Sequence, residues 1–226
     1  MSKLKIILFA TIVVMVLAAA YYAKRKWYNP WRKFSAAKEA AEILRTEGNL
    51  QDGDIIFQSS LSGQSKAIEL ATHSELSHCG IIFKSKDGFR VLEGVQPVSY
   101  APLEEWIARG KNNHYTIKRL NQASIILTDS VIKKMKEEGT QLLGKNYDIY
   151  FGWSDEKIYC SELVWKIYKR STGLSIGRLQ LLRDFDLSSQ AAKDLMKKRY
   201  GNAIPLDDTV ISPSSIYNSD LLVTIK

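Results

Sequence analysis

The stretch SHCGIIF, residues 77–83, sets His78 beside Cys79, and a second cysteine, Cys160, stands in YCSELVW much farther along the chain. A thiol and an imidazole can be a nucleophile with its base, a pair of metal ligands, or the mouth of a buried strand. Successive side chains of a strand point to opposite faces, so His78, Gly80 and Ile82 share one face while Cys79, Ile81 and Phe83 share the other. Neighbours held apart in this way do not readily share one ion. Neither CxxC nor HExxH spacing occurs, so a metal site built from His73, His78, Cys79 and Cys160 has little support.

Cys160 is the stronger nucleophile candidate. Leu163, Val164, Ile167 and Tyr168 follow it at +3, +4, +7 and +8, the spacing of an apolar helical stripe that starts at the cysteine. A helix N-terminus lowers a thiol pKa through its dipole and free N–H groups. The same N–H groups can stabilise an oxyanion after the sulfur attacks a carbonyl. The competing reading is a buried structural cysteine, a common fate for this residue.

A nucleophilic thiol also needs a base and a group to orient that base. Three histidines are available, His73, His78 and His114. On the strand after His78, Phe89, Val91, Glu93 and Val95 share a face. A hairpin that closes on KSKD or SKDG brings Glu93 directly or diagonally beside His78. A slip of one residue would part them. A carboxylate there would hold the imidazole tautomer and stabilise its charged form. The two cysteines make no disulfide framework. A single Cys79–Cys160 bridge is expected to be forbidden, because Cys79 faces away from His78.

The elements that must hold these residues read as hairpin strands and segregated helices, an α+β pattern. Turn then strand is expected at LQDGDIIFQSS, a short helix at GQSKAIELATH, the hairpin SHCGIIFK/GFRVLEGV, a helical turn at APLEEWIARG and a strand at HYTIKRL. Residues 129–143 are amphipathic, with Asp129 or Ser130 as the expected cap. Further helices are expected at YCSELVWKIYKR and at SSQAAKDLMKKRY, closed by Gly201, and a last strand at LLVTI. NPW is expected to break the chain before a helix capped by Ser35 and ending near Thr46.

Charge is unevenly placed. Seven of the 32 basic residues and none of the 24 acidic ones lie in residues 1–33, so the rest of the chain is nearly neutral. That removes the electrostatic reason to expect nucleic-acid binding. Residues 6–23 carry no charge, and at about 1.5 Å per residue they just span a bilayer core of ~30 Å. Tyr21, Tyr22, Trp27, Tyr28 and Trp31 suit a membrane interface. Residues 1–33 are therefore read as a single-pass anchor with a basic juxtamembrane segment, with a cleaved signal peptide as the alternative, and residues 34–226 as the catalytic domain. The positive-inside rule alone would place the body in the cytoplasm.

DGDIIF, LSHCGIIF, VLEGVQPV, YDIYFGWSDEKIYCSELVW and ISPSSIYNSDLL, in that order, resemble the YiiX/YebB-like cysteine hydrolases, circularly permuted papain-like enzymes of the NlpC superfamily. The resemblance covers roughly residues 50–223, and its most specific part is YCSELVW with an upstream SHCG. It implies an α+β fold with an antiparallel β-barrel packed on helices. It implies Cys160 as nucleophile, His78 as base and Glu93 as orienting residue, with Tyr147 and Ser161 as substrate-binding or oxyanion candidates. It implies attack on an amide or ester and an acyl-enzyme, with no cofactor or metal. Relatives act on peptidoglycan peptides or, in the lecithin–retinol acyltransferase branch, move acyl chains between lipids. The expected partners are membrane lipids and an amide- or ester-containing substrate, and family likeness favours the periplasmic side. A catalytically inactive, membrane-tethered binding module of the same fold is the alternative.

Overall fold

The computed structural model describes residues 3–226, with side chains described for Ile7 and from Ala10 onward. In chain order, α1 (Lys3–Ala23) passes through a π-helical turn, Lys24–Tyr28, into α2 (Asn29–Thr46). Then follow β1 (Ile55–Gln58), α3 (Ser65–Thr72), β2 (His78–Ser85), β3 (Gly88–Glu93), β4 (Ser99–Pro102), α4 (Leu103–Arg109) and β5 (Thr116–Leu120). A single turn α5 (Ala123–Ile126) leads to α6 (Asp129–Leu142), the two-residue strands β6 (Asn146–Tyr147) and β7 (Lys157–Ile158), and α7 (Cys160–Thr172). The chain ends with β8 (Gln180–Leu181), α8 (Gln190–Tyr200), β9 (Thr209–Val210), α9 (Pro213–Tyr217) and β10 (Leu222–Thr224).

Six strands form one antiparallel sheet in the order β10-β5-β1-β2-β3-β4. The sheet stays open, with β10 and β4 as its edges, so the expected barrel is not closed. The reason lies in the cover: helices bury both faces, and no apolar face is left that closure would have to hide. Ile55, Phe57, Cys79, Ile81 and Phe83 point to the side of α7, in a core with Leu163, Val164 and Ile167. Ile56, Ile82, Val91 and Ile117 point the other way and pack with Ala37, Ala41 and Leu44 of α2 and Trp106 and Ile107 of α4. β1 is therefore buried along its whole length and β2 through Phe83.

Two local expectations are corrected. NPW does not break the helix: Pro30 falls at the start of α2, directly after the π-helical turn Lys24–Tyr28, and that wider turn carries the helix past the N–H that proline lacks. Helix continues through residue 33, and Ser35 lies inside it. The cap of α6 is Thr128, whose hydroxyl accepts from the Val131 N–H, rather than Asp129 or Ser130.

Among the described residues no helix is long and apolar enough to cross a membrane. Met1, Ser2 and the side chains of residues 3–6, 8 and 9 lie outside the described residues, so the segment expected to span is described only in part. From Ala10 to Ala23 every side chain is exposed.

Candidate active site

The hairpin sets the first pair. β2 and β3 join through SKDG, with Ser85 opposite Gly88 and Gly80 opposite Glu93. Glu93 is then the diagonal neighbour of His78, one of the two registers compatible with the sequence. Its Oε2 lies 2.6 Å from His78 Nε2, and the carboxylate is 1% exposed. The other carboxylate oxygen accepts from Arg109, the last residue of α4. One helical turn earlier, Trp106 stacks on the His78 ring with centroids 5.8 Å apart and planes 20° from parallel. Neither Arg109 nor Trp106 stood out in the sequence. Their i, i+3 spacing marks one helix face, but nothing local says that this face docks on His78.

Cys160 opens α7 with 3% of its surface exposed. Its position depends on Gly94, just beyond β3: a Cβ on residue 94 would come within 2.8 Å of the Cys160 backbone nitrogen. Only a residue without a side chain lets the end of β3 approach the start of this helix so closely. Tyr159 caps α7, its N–H reaching Glu162 Oε2 at 3.4 Å, while its hydroxyl accepts from the Ile211 N–H at 3.1 Å.

The Cys160 thiol is held well below its ordinary pKa. A hydrogen bond from the Cys79 thiol is the largest cause; burial opposes it, and the charge and hydrogen bond of His78 lower it further. His78 moves the opposite way, to about 10. Burial alone would depress it, but the negative charge of Cys160, hydrogen bonds to Cys160 and Glu93, and the charge of Glu93 outweigh that. On Glu93, burial pushes upward and is overcome by His78 and then Arg109, which together hold it below the usual carboxylate value. The charges along Cys160, His78, Glu93 and Arg109 thus alternate as minus, plus, minus, plus. Nε2 of His78 is taken by Glu93, which leaves Nδ1 for the sulfur.

Cys79 faces away from His78, into the core, as strand alternation requires. It is not remote from the chemistry, however, because α7 packs over that same face and starts at its edge. Cys160 therefore shares its core with Cys79 and lies within reach of the His78 charge. Both cysteines are free. Burial first, then the hydrogen bond and charge of Cys160, push the Cys79 thiol well up, so it stays protonated and can donate.

Tyr147 arrives by a separate route. β6 pairs in parallel with β7, Tyr147 against Ile158, and β7 leads directly into Cys160. Tyr147 and Cys160 line one cavity, whose walls are almost wholly apolar and include Ala67 and Ile68 of α3, Leu195 and Met196 of α8, and Phe185. Burial, then the Cys160 charge, raise the Tyr147 hydroxyl well above its usual value, against a hydrogen bond from Gln64. Asp148 next to it is buried and accepts from the N–H groups of Tyr150 at 2.8 Å and Gly152 at 2.9 Å, which shapes the turn that follows. Ser161 also lines the cavity, but its hydroxyl donates to the Ile211 carbonyl at 2.8 Å. Of the remaining histidines, His73 is exposed beside Asp186 and His114 is exposed.

Among the described residues no group of three or more His, Cys, Asp or Glu side chains is placed to hold a metal. At the site itself Nε2 of His78 is held by Glu93.

A family model described as a permuted papain-like amidase enzyme, the YaeF/YiiX C92 family, matches residues 49–226. Over 176 residues the chain is 44% identical to an Escherichia coli K12 protein called uncharacterized protein YiiX, covering 77% of this chain and 85% of that one. It is also similar to a crystal structure titled metalloprotein yiiX, from Escherichia coli O157:H7, with a TM-score of 0.74 and 43% identity over 78% of this chain and 96% of that one.

Proposed function

The chain belongs to the permuted papain-like amidase family, and from that premise we propose that it cleaves an amide or ester bond through a thioester on Cys160. The observation that carries this reading is the 2.6 Å His78–Glu93 bond beside a buried cysteine at a helix start. The Cys160 sulfur attacks the carbonyl carbon, and the negative oxygen forms next to the free N–H groups of the first turn of α7 and the Tyr147 hydroxyl. His78 gives its proton to the leaving amine or alcohol as the carbon–nitrogen or carbon–oxygen bond breaks. The neutral imidazole then takes a proton from water, which attacks the thioester and releases the acid. Glu93 keeps the ring oriented throughout, and Arg109 keeps Glu93 ionised.

The apolar cavity at Cys160 suits the acyl side of a lipid or an apolar group of a cell-wall peptide. Anchoring by residues 6–23 is part of the proposal, with the catalytic domain on the extracytoplasmic side. The uncharged run in the sequence and the exposed side chains of residues 10–23 support it. A tethered cleft would reach lipid or lipid-attached substrates without diffusing to them.

The test is labelling of the full chain with iodoacetamide near neutral pH and, with separate unlabelled protein, incubation with a membrane and cell-wall extract. Cys160 should label faster than Cys79, and His78→Ala should slow it. Wild type, but not Cys160→Ala, should consume a component of the extract and carry its acyl group as a mass adduct. Equal, slow labelling of both thiols would sink the enzymatic reading in favour of a binding module.

A further inference from the structure

The hydroxyl of Tyr147 can serve an oxyanion only if its hydrogen points into the cavity, and side chains outside the catalytic trio determine where that hydrogen goes. Gln64, just before α3, gives its Nε2 to the Tyr147 oxygen at 2.7 Å. The other end of the same amide, Oε1, accepts from Arg199 in the last turn of α8. An arginine has five donors and no acceptor, so the Gln64 atom facing Arg199 must be the oxygen. The amide is planar, and its NH2 therefore faces Tyr147 and donates. A tyrosine oxygen that already accepts from Gln64 keeps its own hydrogen for another partner, and Tyr147 shares its cavity with Cys160.

Arg199 is held for this task. Its guanidinium lies 4.6 Å from the centre of the Phe151 ring, and its Nη1 is buried without a hydrogen-bond partner. Its charge polarises the Gln64 amide and prevents it from flipping. We propose that Gln64 and Arg199 are positioning residues that turn the Tyr147 hydroxyl hydrogen toward the carbonyl oxygen under attack at Cys160. The inference rests on the acyl-transfer reading above and adds a directional relay, Arg199 to Gln64 to Tyr147, that ends at the oxyanion.

The test uses Gln64→Glu in the full chain. The substitution preserves shape and the contact with Arg199, but a carboxylate cannot donate. Tyr147 would then donate to the new carboxylate and withdraw its hydrogen from the cavity. Two reactions of Cys160 separate the effects. Acylation by p-nitrophenyl butyrate, read as nitrophenolate release and the mass of the acyl-enzyme, passes through an oxyanion. Alkylation by iodoacetamide does not. Gln64→Glu should slow acylation on the order of 10²-fold, as loss of one oxyanion donor does, with alkylation and the melting temperature close to wild type. In a Tyr147→Phe background the same change should add nothing, because both variants remove one hydrogen bond. Arg199→Lys, which keeps a charged donor, should retain most of the acylation rate, and Arg199→Met should not.

Wild-type acylation in Gln64→Glu, an equal slowing of both reactions, or a further loss when Gln64→Glu is added to Tyr147→Phe would each overturn the relay. A wild-type protein that alkylates but forms no acyl-enzyme would overturn the acyl-transfer reading, and the relay with it.

Discussion

Replacing Glu93 by glutamine tests the charge chain at its centre. One oxygen of Glu93 takes His78 Nε2 at 2.6 Å and the other takes Arg109. Arg109 can only donate, so in Glu93→Gln it claims the amide oxygen and leaves the NH2 facing His78. A donor then confronts a donor, and the ring gains by losing its Nε2 proton. The lost charge-assisted bond is worth about 1.5–3 kcal/mol. At about 1.4 kcal/mol per pKa unit, the His78 pKa should fall by about 1–2 units from its value of about 10. The neutral ring that remains carries its hydrogen on Nδ1, toward Cys160, and no longer works as a base for the thiol. Above that lowered pKa, where the neutral ring dominates, acyl-enzyme formation should drop by on the order of 10²- to 10⁴-fold, the range that a positioned acid–base group contributes. The direct assay is a pH titration of ring-labelled histidine by NMR, in which three histidines give a sparse spectrum and His78→Gln identifies the signal. Wild type should stay protonated until about pH 10, and Glu93→Gln should turn over near pH 8–9, by the same conversion. An unshifted midpoint in the variant would refute the claim that Glu93 sustains the imidazolium.

Two further outcomes follow from the same neighbourhood. Cys79→Ala removes the thiol donor that most lowers the Cys160 pKa, so the acid limb of Cys160 alkylation should move to higher pH while the plateau rate stays; an unmoved limb would deny Cys79 that role. Burial raises Glu162 to about 7, against its contacts with Lys166. Its folded pKa lies above its unfolded one, so the associated stability is complete below about pH 4.5 and is lost as pH rises through about 7, a total of about 3 kcal/mol. Glu162→Gln should flatten this decline in thermal melts taken between pH 5 and pH 8, and a variant as pH-dependent as wild type would contradict it.

Much of the site was legible because it is local in character. Alternation along SHCGIIF assigned His78 and Cys79 to opposite faces. The SKDG turn restricted the hairpin to registers that bring His78 to Glu93, and the +3, +4, +7, +8 stripe placed Cys160 at a helix start. These signals depend on periods of two and 3.6 residues and on one tight turn, and all of them act within a few residues. Such patterns say which face of an element is apolar, but not what covers it. The closed barrel that the family resemblance implied was therefore not something these patterns could check, and helices on both faces left the sheet open. That Cys79 touches the nucleophile depends on where α7 lands on β2. Arg109 reaches Glu93 and Trp106 reaches His78 only because α4 docks beside β3. The Arg199–Gln64 bond joins residues 135 positions apart, a distance over which no periodicity carries information. The sequence by itself determined which residues could react and which faces they occupy. Tertiary packing decided which of them meet, because proximity between distant segments is created only when their apolar faces are buried together.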